Sequence, residues 1–335
     1  MNMTSIGDLA NSILLRQRSA QLNQEISTLT QELSSGQVAD VSRRLGSDYS
    51  YLTDIDRNLA RLDGYNISAS EAAMFAGAAQ TSLERLQDLT ASLSDSLIMF
   101  DEASSGELRS HMSEKAEDDL ASAISALNAS VGGRSLFGGT ATDRPPLGSA
   151  DRLMSELRTL VTGLTGSADI ETAVDNWFAD PTGYETVMYE GAQDVLAPIP
   201  IGAGEEVSLS LTARDSAIRE TLRDMAVAAL AADPGLGLDR AVQDDLFRSA
   251  GAGMLTGQDA LTGIRADLGF AEARIEEIST RNITARTSLE FSRAALLEAD
   301  PFDTATRLEE AQFQLESLYT VTVRSANLSL LNFLS

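Results

Sequence analysis

Few side chains in this 335-residue chain are suited to covalent or metal chemistry. Cysteine is absent, which excludes disulfides, thiol nucleophiles and Cys-ligated zinc or iron–sulfur sites. His111 is the one histidine, so a multi-histidine metal site cannot form within one chain. It follows a helix break, beside Arg109 and Met112, and reads as a surface or interface residue. The run Gly132-Gly-Arg-Ser-Leu-Phe-Gly-Gly139 invites a phosphate-loop reading. It lacks the Gly-Lys-Ser/Thr ending and a clear preceding strand, so it reads as a turn. The acidic clusters Glu117-Asp118-Asp119, Glu205-Glu206 and Glu309-Glu310 lack the alternating aspartates and distal glutamate of a calcium loop. They read as solvated helix faces. No catalytic, cofactor-binding or metal site is expected, and no enzyme.

Composition narrows the classes further. The chain holds 50 acidic against 25 basic residues, a net charge of −25, and Lys115 is the only lysine. Binding to nucleic acid or an anionic membrane needs clustered positive charge, so neither is expected. A hydrophobic fraction of 43% is enough for a packed core. No apolar run approaches the length of a membrane span, so no membrane insertion is expected. The opening Met1-Asn-Met-Thr-Ser-Ile-Gly-Asp8 lacks the basic and apolar regions of a cleaved signal.

The elements that carry these residues are mainly helical. Leu22, Ile26, Leu29 and Leu33 alternate at spacings of 4 and 3, as do Leu52, Ile55, Leu59 and Leu62. Leu83, Leu86, Thr90, Leu93 and Leu97 continue the pattern. Such a period makes a narrow stripe that calls for a partner helix. The longest seam runs through Leu261, Ile264, Leu268, Ala271, Ile275, Ile278, Asn282, Ala285, Leu289, Ser292 and Leu296. Asn282 is either a buried register-fixing residue or a partly solvated one. A charge placed at Leu289 is expected to unfold the helical arms. Gly36 suits a helix stop, and Asp300-Pro301 suits the cap and first position of a new helix. Leu308, Ala311, Leu315 and Leu318 carry that helix on, and the chain closes with Leu328-Ser-Leu-Leu-Asn-Phe-Leu-Ser335.

The middle differs in kind. Paired glycines and Pro145-Pro146 mark a boundary. Two short helices are expected over 150–164 and 169–179, with Trp177-Phe178 as a core anchor. Val207, Leu209 and Leu211 alternate with Ser208, Ser210 and Thr212, which predicts a half-buried strand. A helix from about Asp215 to Ala232 closes this part, with Asp233-Pro-Gly as its stop. Three regions follow: an N-terminal helical arm (1–135), an inserted mixed α/β domain (136–212), and a helical segment with a C-terminal arm packing on the first (213–335). Residues 136–212 carry 12 acids against 3 bases, the densest negative charge. The expected fold is mainly α, an elongated antiparallel coiled-coil or helical bundle from both chain ends with a small α/β or β-rich insert.

Both ends resemble the bacterial flagellin superfamily. Leu22-Asn23 and Gln31-Glu-Leu-Ser-Ser-Gly36 resemble its opening helix and turn, and Asn58 to Leu86 its second helical segment. Ile264-Arg-Ala-Asp-Leu-Gly269 with Arg274-Ile-Glu276 is similar to its C-terminal block. Ser135-Leu-Phe-Gly-Gly139, Tyr189-x-Gly191 followed by Val207, Leu209, Thr212-Ala213 and Ile218-Arg219, and the ending Leu330-Leu-Asn-Phe-Leu334 are more similar to the family's hook-associated, hook–filament junction type. The chain departs from the family in lacking the frequent Arg-Ile/Val after Gly36. The resemblance implies a non-enzymatic structural subunit of the flagellum, exported by the flagellar type III apparatus without a cleaved signal. It implies an assembly seam along Leu22, Ile26, Leu29, Leu33, Leu268, Ile275, Ile278, Asn282, Leu289, Leu315, Leu318, Leu331, Phe333 and Leu334. Implied partners are copies of itself, another hook-associated junction protein, flagellin and a type III export chaperone. A short or minor filament flagellin is the alternative within the family, and a coiled-coil signalling or scaffold protein the alternative outside it.

Overall fold

The computed structural model describes residues 3–46, 49–100 and 105–334, with side chains from residue 10 to 324. About three quarters of the chain is helical, and the only sheets among the described residues are two small antiparallel pairs. The chain divides into two compact units, one of residues 1–62 with 284–335 and one of residues 63–283.

The first unit is built on α1 (Met3–Ser35) and α10 (Pro301–Leu334). Leu22, Leu29 and Ala311 are buried between them, flanked by Ile26, Leu308, Leu315 and Leu318. The helices run antiparallel: Ala299 N–H donates to Gly36 C=O (3.0 Å) at one end, and Arg18 donates to Gln314 Oε1 (3.0 Å) further along. Gly36 has φ +68°, a left-handed conformation that ends α1. Asp300 Oδ1 accepts from the N–H groups of Phe302 and Asp303, capping α10 one residue before Pro301. The short α2 (Val41–Leu45) is capped by Asp40. The first turns of α3 (Ser50–Ile98) and the last of α9 (Arg240–Leu297) complete this unit, with Asp56 bonded to Arg293 (2.8 Å).

The second unit has one continuous core. α4 (Gly106–Leu127) starts at Ser105, whose Oγ accepts from Leu108 N–H. A two-residue hairpin, β1 (Ser130–Val131) and β2 (Arg134–Ser135), follows. α5 (Ala150–Val161), α6 (Ser167–Ala179) and α7 (Tyr184–Val187) lead to a second hairpin, β3 (Ile199–Gly202) and β4 (Glu205–Val207). α8 (Ser216–Ala231) then takes the centre of the unit rather than its margin. Ile218, Leu222, Met225, Val227 and Leu230 are buried, and from Asp224 to Ala231 every residue is, so the second half of this helix has no wet side. Ser113 of α4 ties down its last turn, donating to Ala228 C=O and accepting from Ala232 N–H. Within this unit α3 and α9 are joined by Ser94 Oγ to Gly251 C=O (2.8 Å) and by reciprocal bonds between Gln80 and Arg265.

The half-buried strand over 207–212 is corrected. β4 ends at Val207, and 208–212 continue without a partner strand in regular pairing. Ile199 pairs with Val207 and Pro200 with Glu206, so the same register sets Pro198 opposite Ser208. Regular pairing ends one position short of it, at Ile199 and Val207. The alternation itself persists, with Leu209 buried and Ser208 and Ser210 exposed. Tyr189 makes an isolated bridge to Leu147, and α7 precedes it.

Candidate assembly surface

The residues singled out for chemistry do not converge. Gly132 (φ +58°) and Gly133 (φ +77°) form the turn of the β1–β2 hairpin, where two successive positive φ angles match the twist of the strands. His111 is exposed and lies 3.3 Å from Glu114. Among the described residues no three His, Cys, Asp or Glu side chains gather as a metal site would require. No helix among them is long and apolar enough to cross a membrane.

The seam residues divide into three sets. Leu22 and Leu29 are buried in the α1–α10 pair, while Ile26, Leu315 and Leu318 are half-buried beside them. Leu33 is on the same stripe but 41% exposed. Leu268, Ile275, Ile278 and Asn282 are buried within the second unit. Leu289, in the first, is half-buried. The side chains of Leu331, Phe333 and Leu334 lie outside the described residues.

At Ile278 and Asn282, α9 is met by the β3–β4 hairpin. Asn282, 5% exposed, donates from Nδ2 to Ile201 C=O (2.8 Å). Gly202 lies so close to Ile278 that an added Cβ would be 3.1 Å from its methyl group. Glu205 binds Arg274 (2.8 Å) and Arg281 (3.1 Å), two turns apart on α9. The Arg281 hydrogen bond and the two positive charges hold its carboxyl below the ordinary range. Asn282 is therefore buried and satisfied, and its partner is a hairpin carbonyl rather than a facing helix.

Residues 135–139, 189–192 and 213 meet in one cluster. Ala192 N–H donates to Gly138 C=O (2.9 Å), and Ala213 N–H to Phe137 C=O (3.0 Å). Thr140 N–H donates to Asp194 C=O (2.9 Å) and Tyr189 Oη to Ala192 C=O (2.8 Å). Gly139, at φ +60°, faces the carbonyls of Ala192 and Asp194, and Gly191 faces the Tyr189 ring oxygen, each with no space for a side chain. Phe137 and Tyr184 are fully buried below, and the Tyr184 hydroxyl donates to Ala213 C=O. Burial pushes the Tyr184 phenol pKa up, so it stays a neutral donor.

The outer faces of the first unit carry large apolar side chains. Phe302 is 83% and Phe313 70% exposed. Eleven residues separate them, three helical turns plus about 20°, so they share one face. Phe313 is two residues beyond the buried Ala311, about 200° around the helix, which turns this face away from α1. Ile13, Leu14, Phe291, Tyr319, Val321 and Val323 are also exposed. The heptad reading identified the inner stripe and passed over this one, although the spacing of the two phenylalanines was visible. Buried Arg109 was also missed as a structural residue: it forms a bidentate ion pair with Asp244 (2.8 and 3.0 Å) and lies over the Phe100 ring.

The family model of the bacterial flagellin N-terminal helical region matches residues 6–142, and that of the flagellin C-terminal helical region matches residues 256–334. Together they span about two thirds of the chain. No curated protein sequence matches significantly. A solved structure of a candidate flagellar hook-associated protein from Vibrio parahaemolyticus is similar at 14% identity, over 85% of this chain and 97% of that one, with a TM-score of 0.39.

Proposed function

The chain belongs to the bacterial flagellin family, whose members are structural subunits that self-assemble into flagellar polymers, and from that premise we propose that it is a hook-associated subunit joining hook to filament. It is a flagellar component by family, and its work is packing rather than catalysis. The observation that carries the finer reading is the cluster formed by residues 135–139, 189–192 and 213. The stretches most similar to the junction type are distant in sequence, yet they are bonded backbone to backbone around buried Phe137. Glycines at 139 and 191 accept no larger residue there, so these stretches work as one structural device.

Assembly on this reading uses the first unit. The α1–α10 pair buries its inner stripe within the chain, and Phe302 and Phe313 on the outer face are left for neighbouring copies. Burying both rings would contribute about 4 kcal/mol per contact before the entropic cost of association. The proposed partners are further copies, a second hook-associated protein, flagellin and an export chaperone, and the proposed route is the flagellar type III apparatus.

Labelled antibody on isolated flagella tests this: a signal confined to the hook tip is expected. A deletion strain that still grows full filaments on its hooks overturns the junction reading. Long filaments formed by the purified protein alone would instead favour a filament flagellin.

A further inference from the structure

One buried carboxylate has no part in the assembly surface. Asp224 sits in the middle of α8, 5% exposed, where that helix crosses α9. The crossing is close because α9 presents glycine. A Cβ at Gly253 would lie 2.6–2.8 Å from both carboxylate oxygens and Cγ of Asp224, and one at Gly257 would lie 3.8 Å from the Thr221 hydroxyl. The carboxyl group of Asp224 thus rests flat on the α9 backbone, in the place where a helix crossing ordinarily packs methyl groups. Its one cationic partner among the described residues is the preceding one. Arg223 donates from Nε (2.9 Å) and from a terminal nitrogen (2.6 Å), both to Oδ1. That guanidinium is shared with Asp175 of α6 (3.2 Å).

We propose that Asp224 makes the α8–α9 crossing an acid-set latch, firm when the carboxyl is neutral and weaker when it is ionised, its charge then met by Arg223 of its own helix. The charges acting on Asp224 are Arg223 and Glu220 of its own helix and Asp175 of α6, while α9 contributes backbone at Gly253. Burial is the largest influence and disfavours the anion. Arg223 opposes it, and Asp175 and Glu220 add to it, leaving the carboxyl pushed up to about 6. A carboxyl that binds its proton more tightly in the folded chain favours folding at low pH. Its contribution is fully present below the ordinary carboxylate value of 3.8 and is lost as pH rises through about 6. The second unit is therefore looser at neutral pH than in mildly acidic solution, through one side chain. This inference does not depend on the flagellar reading.

Urea unfolding of the full chain, followed through Trp177, reports on the second unit, because that single tryptophan packs against its core. The ratio of unfolding constants, wild type over Asp224→Asn, is expected to rise about tenfold from pH 5 to pH 8. Taking the ratio cancels the general charge effects common to both proteins. A ratio constant within twofold overturns the latch. Should Asp224→Asn fail to fold, the carboxyl resonance of Asp224 in the wild-type chain is titrated directly. A midpoint near 6 that moves acidward in Asp175→Asn supports the proposal, and a midpoint in the ordinary carboxylate range overturns it.

Discussion

Replacing Arg109 by methionine should destabilise the second unit more than most single substitutions. The Arg109 side chain is 1% exposed, and its guanidinium gives two nitrogens to Asp244, with three contacts of 2.8–3.0 Å. Methionine fills much of the same volume, so packing against Phe100 is largely kept. The Asp244 carboxylate is left mostly buried without its cation. Breaking a buried pair from one side costs about 3–5 kcal/mol, and the residual exposure of Asp244 argues for the lower end. With a urea dependence of about 2 kcal/mol per molar, the midpoint should fall by about 1.5 M. The double variant Arg109→Met, Asp244→Leu removes both charges and should return to within about 1 kcal/mol of wild type. Trp177 fluorescence in urea reads both numbers. A shift below about 0.3 M for the single variant, or a double variant as weak as the single, would refute the assignment of an electrostatic debt to Asp244.

Asn282→Leu should destabilise by about 1–3 kcal/mol, because it leaves Ile201 C=O buried without its donor; the same urea titration checks it. Leu22→Ala should weaken the α1–α10 pair by about 2–4 kcal/mol, seen as loss of amide protection in α1 with the second unit unchanged. Leu289→Asp should cost less than Leu22→Ala, since Leu289 is only half-buried; a larger loss of helicity for Leu289→Asp would contradict that placement. Phe302→Ser with Phe313→Ser should leave monomer circular dichroism intact and abolish association measured by sedimentation, while unchanged association would remove these rings from the proposed interface.

What could be read in advance depended on how far apart the partners lie. Caps and stops are local: Gly36, Ser105, Asp215 with its helix, Asp233-Pro-Gly and Asp300-Pro301 all stand where their residue types suggest. The inner stripe of α1 was legible for the same reason, since four residues at spacings of 4 and 3 define a helix face. Leu33 belongs to that stripe yet remains exposed, because periodicity states a direction and not how far a neighbour extends. The strand over 207–212 failed because pairing is decided across the hairpin, where β3 offers its outermost pair at Ile199, and no window along 207–212 contains that partner. Asn282 stood out in its seam, but its acceptor at Ile201 is 81 residues away. Arg109 and Asp244 are 135 residues apart, and nothing in either neighbourhood forecasts a buried pair. The central position of α8 had a local sign in Met225-Ala-Val-Ala-Ala-Leu-Ala231, which is apolar on every side.

The meeting of the two chain ends has a kinetic consequence. Val38 N–H donates to Leu297 C=O, Ala299 N–H donates to Gly36 C=O, and Gln37 bridges Glu298, so a short ladder joins positions about 260 residues apart. Closing a loop of that length in an unfolded chain costs on the order of 5 kcal/mol in entropy. Residues 63–283 are contiguous and carry their own core, so they can condense before the termini meet. Helix α1, made before α10, has nothing to pack on until residues 301–318 have followed. Its Leu22 and Leu29 stay uncovered for all that time. Residues 301–318 thus decide when α1 becomes ordered, and the slow step of folding waits for them.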